Sequence, residues 1–137
     1  MSDFEEQVGI ISGGIVLEEN HRIYIEPTCC GDIGNIVEWE DIHTKLPGEW
    51  NQLWIGHPWI YYRTDQQVIE FSGYSESTRE ELKNTPLLIS VSQQDLQGEL
   101  QKIRLQQDHF ELRIQKTLAK MGIDNCERIA NLMTGNV

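Results

Sequence analysis

The sequence predicts a single α+β domain over residues 1–137, with an antiparallel sheet of about five or six strands, a long C-terminal helix and short flanking helices. Short apolar and β-branched runs between turn residues extend as far as Ser72, which is typical of antiparallel strands. Over residues 93–121 the apolar positions instead recur at helical spacing. A chain of 137 residues is long enough for one hydrophobic core and too short for two.

The strands are predicted from apolar or alternating runs that end at glycine, proline or polar turn residues. They are residues 8–11, 14–17, 22–26, 50–55, 59–63 and 67–72. Short polar turns, one of them containing Pro58, separate the last three, so an antiparallel meander is their simplest topology. Residues 87–91 form either a last strand or a connector.

Two short helices are predicted beside the sheet, and each begins at a candidate capping residue. Asn35 precedes an apolar segment that predicts a helix over residues 36–42. Ser77 and Glu80 have the spacing of a capping box, which predicts a helix of about two turns that ends near Lys83.

The long C-terminal helix is predicted over residues 93–121, with Ser92 as its N-cap and Gly122 at its end. A short terminal helix over residues 126–133 follows. The apolar stripe of the long helix consists of Leu96, Leu100, Ile103, Phe110, Ile114 and Met121. We favour packing of this stripe on the sheet. A homodimer formed by two such helices is the alternative, and the protein would then be a self-associating structural protein.

The chain carries a formal net charge of -11, and the negative charge is concentrated in residues 1–69, which contain 12 Asp and Glu against 3 Lys and Arg. This balance argues against binding to nucleic acid or to an anionic membrane, because both need basic side chains. A basic protein partner fits the charge. Acidic residues near the N-terminus and the lack of a long apolar run predict no signal peptide and no membrane span, so we expect a cytoplasmic protein.

Acidic and aromatic residues occur together in the middle of the chain. A non-catalytic protein-binding surface is the favoured function, with electrostatic steering by carboxylates and tryptophan as the anchor. Its predicted residues are Glu38, Trp39, Glu40, Asp41, Glu49, Trp50 and Trp54. A solvated helix face and a purely structural aromatic cluster are the plainer interpretations of the same pattern.

The three cysteines are predicted to be free thiols, since Cys29 and Cys30 are adjacent and Cys126 is far away in sequence. No metal-ligand spacing is present, and we expect no cofactor. A cysteine-dependent enzyme is the competing hypothesis, in which Cys30 is the nucleophile and His43 or His57 is the base.

The segment Ile25-Glu26-Pro27-Thr28-Cys29-Cys30-Gly31-Asp32-Ile33-Gly34, followed by Trp39 and by Leu53-Trp54-Ile55-Gly56-His57-Pro58-Trp59, resembles a pattern in small uncharacterised bacterial proteins. The acidic single domain with an antiparallel sheet and flanking helices is similar to the immunity proteins of bacterial toxin systems, including the SMI1/KNR4-like group. The resemblance covers architecture and charge over most of the chain. It implies an inhibitor that neutralises a basic partner.

Overall fold

The computed structural model describes residues 3–75 and 86–136. The helices within them are α1 Asp3–Gln7, α2 Ile36–Glu40, α3 Gln93–Lys120 and α4 Cys126–Thr134, and the strands are β1 Leu17–Glu19, β2 Arg22–Ile25, β3 Asn51–Leu53, β4 Ile60–Thr64, β5 Val68–Ser72 and β6 Leu87–Ser92. The predicted α+β class is confirmed. The predicted capping box at Ser77 and its helix lie outside the described residues.

The larger sheet is antiparallel with the strand order β3-β4-β5-β6, so the predicted meander is confirmed and β6 extends it. β1 and β2 form a separate two-stranded sheet. The two residues of their turn, Asn20 and His21, have φ angles of 53° and 65°. Positive φ at both central residues matches the right-handed twist of a tight hairpin. The strands thus divide between two sheets.

The segment before β1 is largely irregular, so the strand predicted over residues 8–11 is wrong, and only Leu17 of the strand predicted over residues 14–17 lies in a strand. Ile11 donates its N–H to the carbonyl of Met133 in α4 at 2.8 Å, and its own carbonyl accepts from the N–H of Ile33 at 3.1 Å. The backbone of this segment therefore joins α4 to the loop before α2. Its β-branched residues do not take part in a longer ladder because these other partners use the same backbone groups.

The core lies between one face of the four-stranded sheet, α2 and the first half of α3. Its buried side chains are Ile25, Trp39, Ile42, Leu53, Ile55, Ile60, Tyr62, Ile69, Phe71, Leu96 and Leu100. The rings of Trp39 and Phe71 lie 5.8 Å apart and join α2 to β5. Burial of each large apolar side chain stabilises the fold by about 1.5–3 kcal/mol.

Helix α3 begins as predicted, because Ser92 Oγ accepts a hydrogen bond from the N–H of Asp95 at 3.3 Å. Its 28 residues give a length of about 42 Å. Leu96 and Leu100 are buried in the core, whereas the second half of the helix packs along α4. The predicted apolar stripe is therefore not in one environment, since Leu96 and Leu100 lie in the core and Met121 is 67% exposed.

Candidate functional site

Two carboxylates of the predicted surface, Glu38 on α2 and Asp41 in the 3₁₀ turn after it, lie close enough to repel one another. Burial raises the pKa of Glu38, the charge of Asp41 raises it further, and Lys45 offsets part of the effect. Burial, assisted by Asp41 and Glu38, also raises the pKa of Tyr62 to about 12. Burial is the main cause of both shifts, and the smaller contributions of Glu38 and Asp41 show that their negative charges lie near Tyr62.

Glu40 has a different role from the one predicted. It forms an ion pair with Arg104 of α3, in which Arg104 Nε donates to Glu40 Oε2 at 3.1 Å and a second guanidinium nitrogen donates to Oε1. The hydrogen bond to Glu40 is the main reason that the pKa of Arg104 is raised. Because its carboxylate is already paired within the chain, Glu40 joins two helices.

The prediction that Trp39 anchors a partner is wrong. Its side chain is 1% exposed and belongs to the core. Ile36, Trp39 and Ile42 follow one another at spacings of three, so they share the buried face of this helical segment. That periodicity is visible in the sequence and could have assigned Trp39 to the core.

Glu49 and Trp50 precede β3, which is one edge of the larger sheet. Glu49 is exposed and Trp50 is half-buried. The Arg63 guanidinium lies over the Trp50 ring at 4.8 Å from the ring centroid, and Arg63 also binds Glu70 at 2.9 Å. Trp50 is consequently part of a cation–π contact and keeps an accessible portion of its ring. We use the name acidic surface for the predicted residues Glu38, Asp41, Glu49 and Trp50. Trp50 lies with Arg63 on the face of the sheet opposite Tyr62, whereas Glu38 and Asp41 lie near Tyr62.

Trp54 belongs to a half-buried aromatic cluster at the end of the β3–β4 hairpin. Its ring centroid lies 6.0 Å from that of Trp59 and 4.9 Å from that of His57, while His57 and Trp59 are 5.1 Å apart. The main chain of His57 donates to the carbonyl of Cys29 at 2.8 Å. This bond places the predicted cysteine loop beside the cluster.

Cys29 and Cys30 occupy the exposed centre of a turn closed by a bond from the N–H of Gly31 to the carbonyl of Thr28, at 3.1 Å. Cys30 has a φ angle of +76°, and the two sulfurs lie 3.4 Å apart. Their hydrogen bond and mutual charge, with a smaller contribution from burial, raise the pKa of Cys30. A raised pKa disfavours the thiolate, so this arrangement is opposite to the activation that a cysteine nucleophile needs.

The two histidines predicted as candidate bases for Cys30 lie in different parts of the fold. The main chain of His57 pairs with Cys29, but its ring packs between two tryptophans. His43 lies in the 3₁₀ turn after α2. All three cysteines are free thiols, and no group of three or more His, Cys, Asp and Glu suitable for a metal ion is found in the described ranges.

A groove of about 400 Å³ between β1, β6 and the first half of α3 was not predicted from the sequence. We call it the β1–β6 groove. Its apolar lining consists of Ile15, Val16, Leu17, Trp39, Val91, Leu96, Leu100 and Ile103. Its carboxylates are Glu18, Glu19, Asp95 and Glu99. In the sequence, the groove is indicated only by the helical spacing of Asp95 with Glu99 and of Leu96 with Leu100, which places acidic and apolar side chains next to one another on α3.

No protein-family model matches the chain, and neither a curated protein nor a solved structure is significantly similar to it. Among the described helices, none combines the length and the apolar character that crossing a membrane requires. The fold and the chemistry of the surface are therefore the basis for a functional proposal.

Proposed function

We propose that this protein is a non-catalytic binding module that associates with a basic protein through the acidic surface. The observation that carries the proposal is the closeness of two carboxylates of like charge, Glu38 and Asp41, beside Tyr62. Repulsion between these carboxylates adds to the larger effect of burial on Glu38, and Lys45 offsets part of it. A lysine or arginine from a partner would relieve this repulsion and gain a favourable interaction.

The net charge of -11 supports the same conclusion at long range. An acidic protein of this size attracts a basic protein and repels nucleic acid, so complementary charge would raise the association rate. Trp50 and Trp54 are half-buried and supply aromatic area for short-range contact. Trp39 and Glu40 have no part in this surface, for the reasons given above.

The resemblance to immunity proteins of toxin systems makes the proposal more specific. Such a protein acts in the cytoplasm as an inhibitor and covers a basic surface of its toxin. The proposal does not require catalytic residues, which agrees with the unactivated thiol of Cys30.

The test begins with capture of proteins from a lysate of the source cells on immobilised wild type, followed by purification of the captured partner. Association is then measured at low and high salt for wild type and for the triple variant Glu38→Lys, Asp41→Lys, Glu49→Lys. We expect association to slow by roughly tenfold and to lose much of its salt dependence, because charges at the rim act on the encounter rate.

The matched control changes three exposed carboxylates elsewhere, Glu6, Glu26 and Asp124, to lysine and so alters the net charge equally. Equal slowing in both triple variants would show that only the total charge matters. An unchanged association rate in the first variant, or an acidic partner, would overturn the proposal.

A further inference from the structure

The strand β6 is an edge of the larger sheet, and its register shows which backbone groups face outward. The N–H of Gln93 donates to the carbonyl of Gln67 at 2.9 Å, and the pairs Val91 with Ile69 and Ile89 with Phe71 continue the same register. In an antiparallel ladder every second pair exchanges these bonds. Ser90 lies between bonded pairs and therefore directs its N–H and C=O away from β5.

The opposite wall of the β1–β6 groove is also a strand edge. β1 pairs with β2 alone, through Leu17 with Ile25 and Glu18 with Ile23. Residues of both β1 and β6 line the groove. Within residues 3–75 and 86–136 no hydrogen bond joins the two strands, so two edges border one apolar channel. Open edges are templates for pairing with an additional strand.

A second observation at this place is the indole of Trp39. Trp39 lines the groove, its side chain is 1% exposed, and its Nε1 has no hydrogen-bond partner within the described part of the chain. A buried donor without an acceptor destabilises a protein, and a carbonyl group in the groove would satisfy it after a shift of the indole ring. An extended peptide segment carries such carbonyl groups at regular intervals.

The charge around the groove selects the occupant. The four carboxylates Glu18, Glu19, Asp95 and Glu99 border an apolar floor. A second copy of this chain would bring a further charge of -11 to the same place, which disfavours self-pairing through the edge. A segment with apolar residues flanked by lysine or arginine matches both the floor and the rim.

From these contacts we infer that the β1–β6 groove binds an extended segment of the basic partner, which adds to β6 as a further strand, places apolar side chains on the floor and lysine or arginine at the rim. The inference rests on the proposed function and assigns a second contact region at the other edge of the sheet. Main-chain bonds to β6 would give affinity, and the floor and the rim would give selectivity.

The probe is a synthetic peptide, Lys-Lys-Val-Thr-Ile-Thr-Val-Lys-Lys, compared with the same peptide in which glutamate replaces each lysine. We expect the lysine peptide alone to slow amide hydrogen exchange at Ser90 by about tenfold at saturation and to shift the indole N–H resonance of Trp39. An N-methylated form of the lysine peptide, unable to donate main-chain hydrogen bonds, should bind about tenfold more weakly.

Two variants refine the test. Ser90→Pro removes the outward N–H from an edge position that tolerates proline, and it should weaken the lysine peptide by about tenfold. Glu18→Lys should weaken the peptide through the rim charge, whereas Asp124→Lys, the same charge change at an exposed position after α3, should leave its affinity nearly unchanged. The N-methylated peptide keeps the inference testable if Ser90→Pro does not fold.

The inference would be overturned if the lysine and glutamate peptides bound with equal affinity or if the lysine peptide did not slow amide hydrogen exchange at Ser90. Resonance shifts confined to the acidic surface would also overturn it. Protection at Ser90 that depends on protein concentration without peptide would also overturn it, because a second copy would then be the occupant. The proposed function has a separate outcome. It fails when the acidic-surface variant associates with the partner as fast as wild type, or when the captured partner is acidic.

Discussion

Arg104 on α3 binds Glu40 on α2, and the two residues are 64 positions apart in the sequence. Arg104 also donates to the side chain of Asn136 after α4. One guanidinium thus connects α2, α3 and the end of the chain. Arginine suits this position because its planar guanidinium can donate two hydrogen bonds to one carboxylate, whereas the ammonium group of lysine lacks that planar geometry.

Replacement of Glu40 by glutamine should lower the free energy of unfolding by about 1–2 kcal/mol, a magnitude reduced by the partial exposure of both side chains. Urea denaturation measures this change. Glu49→Gln, at an exposed position, should leave the midpoint unchanged. A midpoint for Glu40→Gln equal to that of wild type would show that the ion pair contributes nothing to stability.

Replacement of each of three tryptophans by alanine distinguishes a tryptophan in the core from one that contacts a partner. Trp39→Ala removes a fully buried ring and should destabilise the fold by about 3–5 kcal/mol. Trp50→Ala should cost only about 0.5–1 kcal/mol of stability, from the lost contact with Arg63, while it weakens partner binding by about 2 kcal/mol through faster dissociation.

Trp54→Ala should likewise weaken binding by about 2 kcal/mol with a small effect on stability. Thermal unfolding and dissociation rates, measured on the same preparations, distinguish the cases. If Trp50→Ala or Trp54→Ala unfolds the protein at room temperature, that tryptophan belongs to the core and is not an anchor.

Stability should depend on pH through Glu38. Its pKa in the folded state is raised above the ordinary value of 4.5, so the folded protein binds more protons than the unfolded chain between those two pKa values. The contribution of Glu38 is therefore complete below pH 4.5 and is lost as the pH rises through the folded pKa.

Glu38→Gln should consequently stabilise the protein at pH 7, by less than about 1 kcal/mol because the group is partly solvated, and have little effect near pH 4. Chemical denaturation at both pH values measures the difference. Glu6→Gln, at an exposed position, is the control. A constant effect across the pH range would rule out this titration.

The Cys30 thiol should react slowly at neutral pH. Its pKa is raised above the ordinary value of 9.0, mainly by the hydrogen bond with Cys29, so its alkylation rate should reach half-maximum above pH 9.0. Cys29→Ser should shift that midpoint downward. A midpoint below 9.0 in wild type, or loss of an enzymatic activity in a folded Cys30→Ser variant, would favour the cysteine-enzyme hypothesis.

The homodimer through α3 stays a prediction, and two exposed leucines of the helix offer a test of it. Leu105 is 60% exposed and Leu112 is 44% exposed, and they are seven residues apart on the helix. If two copies pair there, Leu105→Glu with Leu112→Glu should convert a dimer to a monomer without unfolding it. Light scattering measures the mass, and circular dichroism checks the fold.

Phe110 provides the comparison for this experiment. It is half-buried with the Arg113 guanidinium over its ring, so Phe110→Glu loses apolar packing but places its charge near Arg113, and it should destabilise the fold only modestly. A wild-type protein that is monomeric at all concentrations would exclude the homodimer through either face.

Local patterns were sufficient for the elements whose stabilising bonds join residues close in sequence. The cap from Ser92 to Asp95 spans three residues, and the β4–β5 turn brings neighbouring strands together directly. The spacing of Ile36, Trp39 and Ile42 also contained the information that Trp39 faces inward. The burial of Trp39 therefore follows from this spacing, and the neighbouring carboxylates Glu38 and Glu40 do not indicate that its ring is exposed.

The sequence by itself determined the α+β class, the antiparallel meander and the start of α3, because these depend on periodicity, turn residues and caps within a few positions. Only the tertiary structure decided that Glu40 pairs with Arg104, that α4 covers part of α3, and that β1 and β6 border one groove. These features arise from groups far apart in the chain. Their proximity depends on how the whole core packs, which no local pattern specifies.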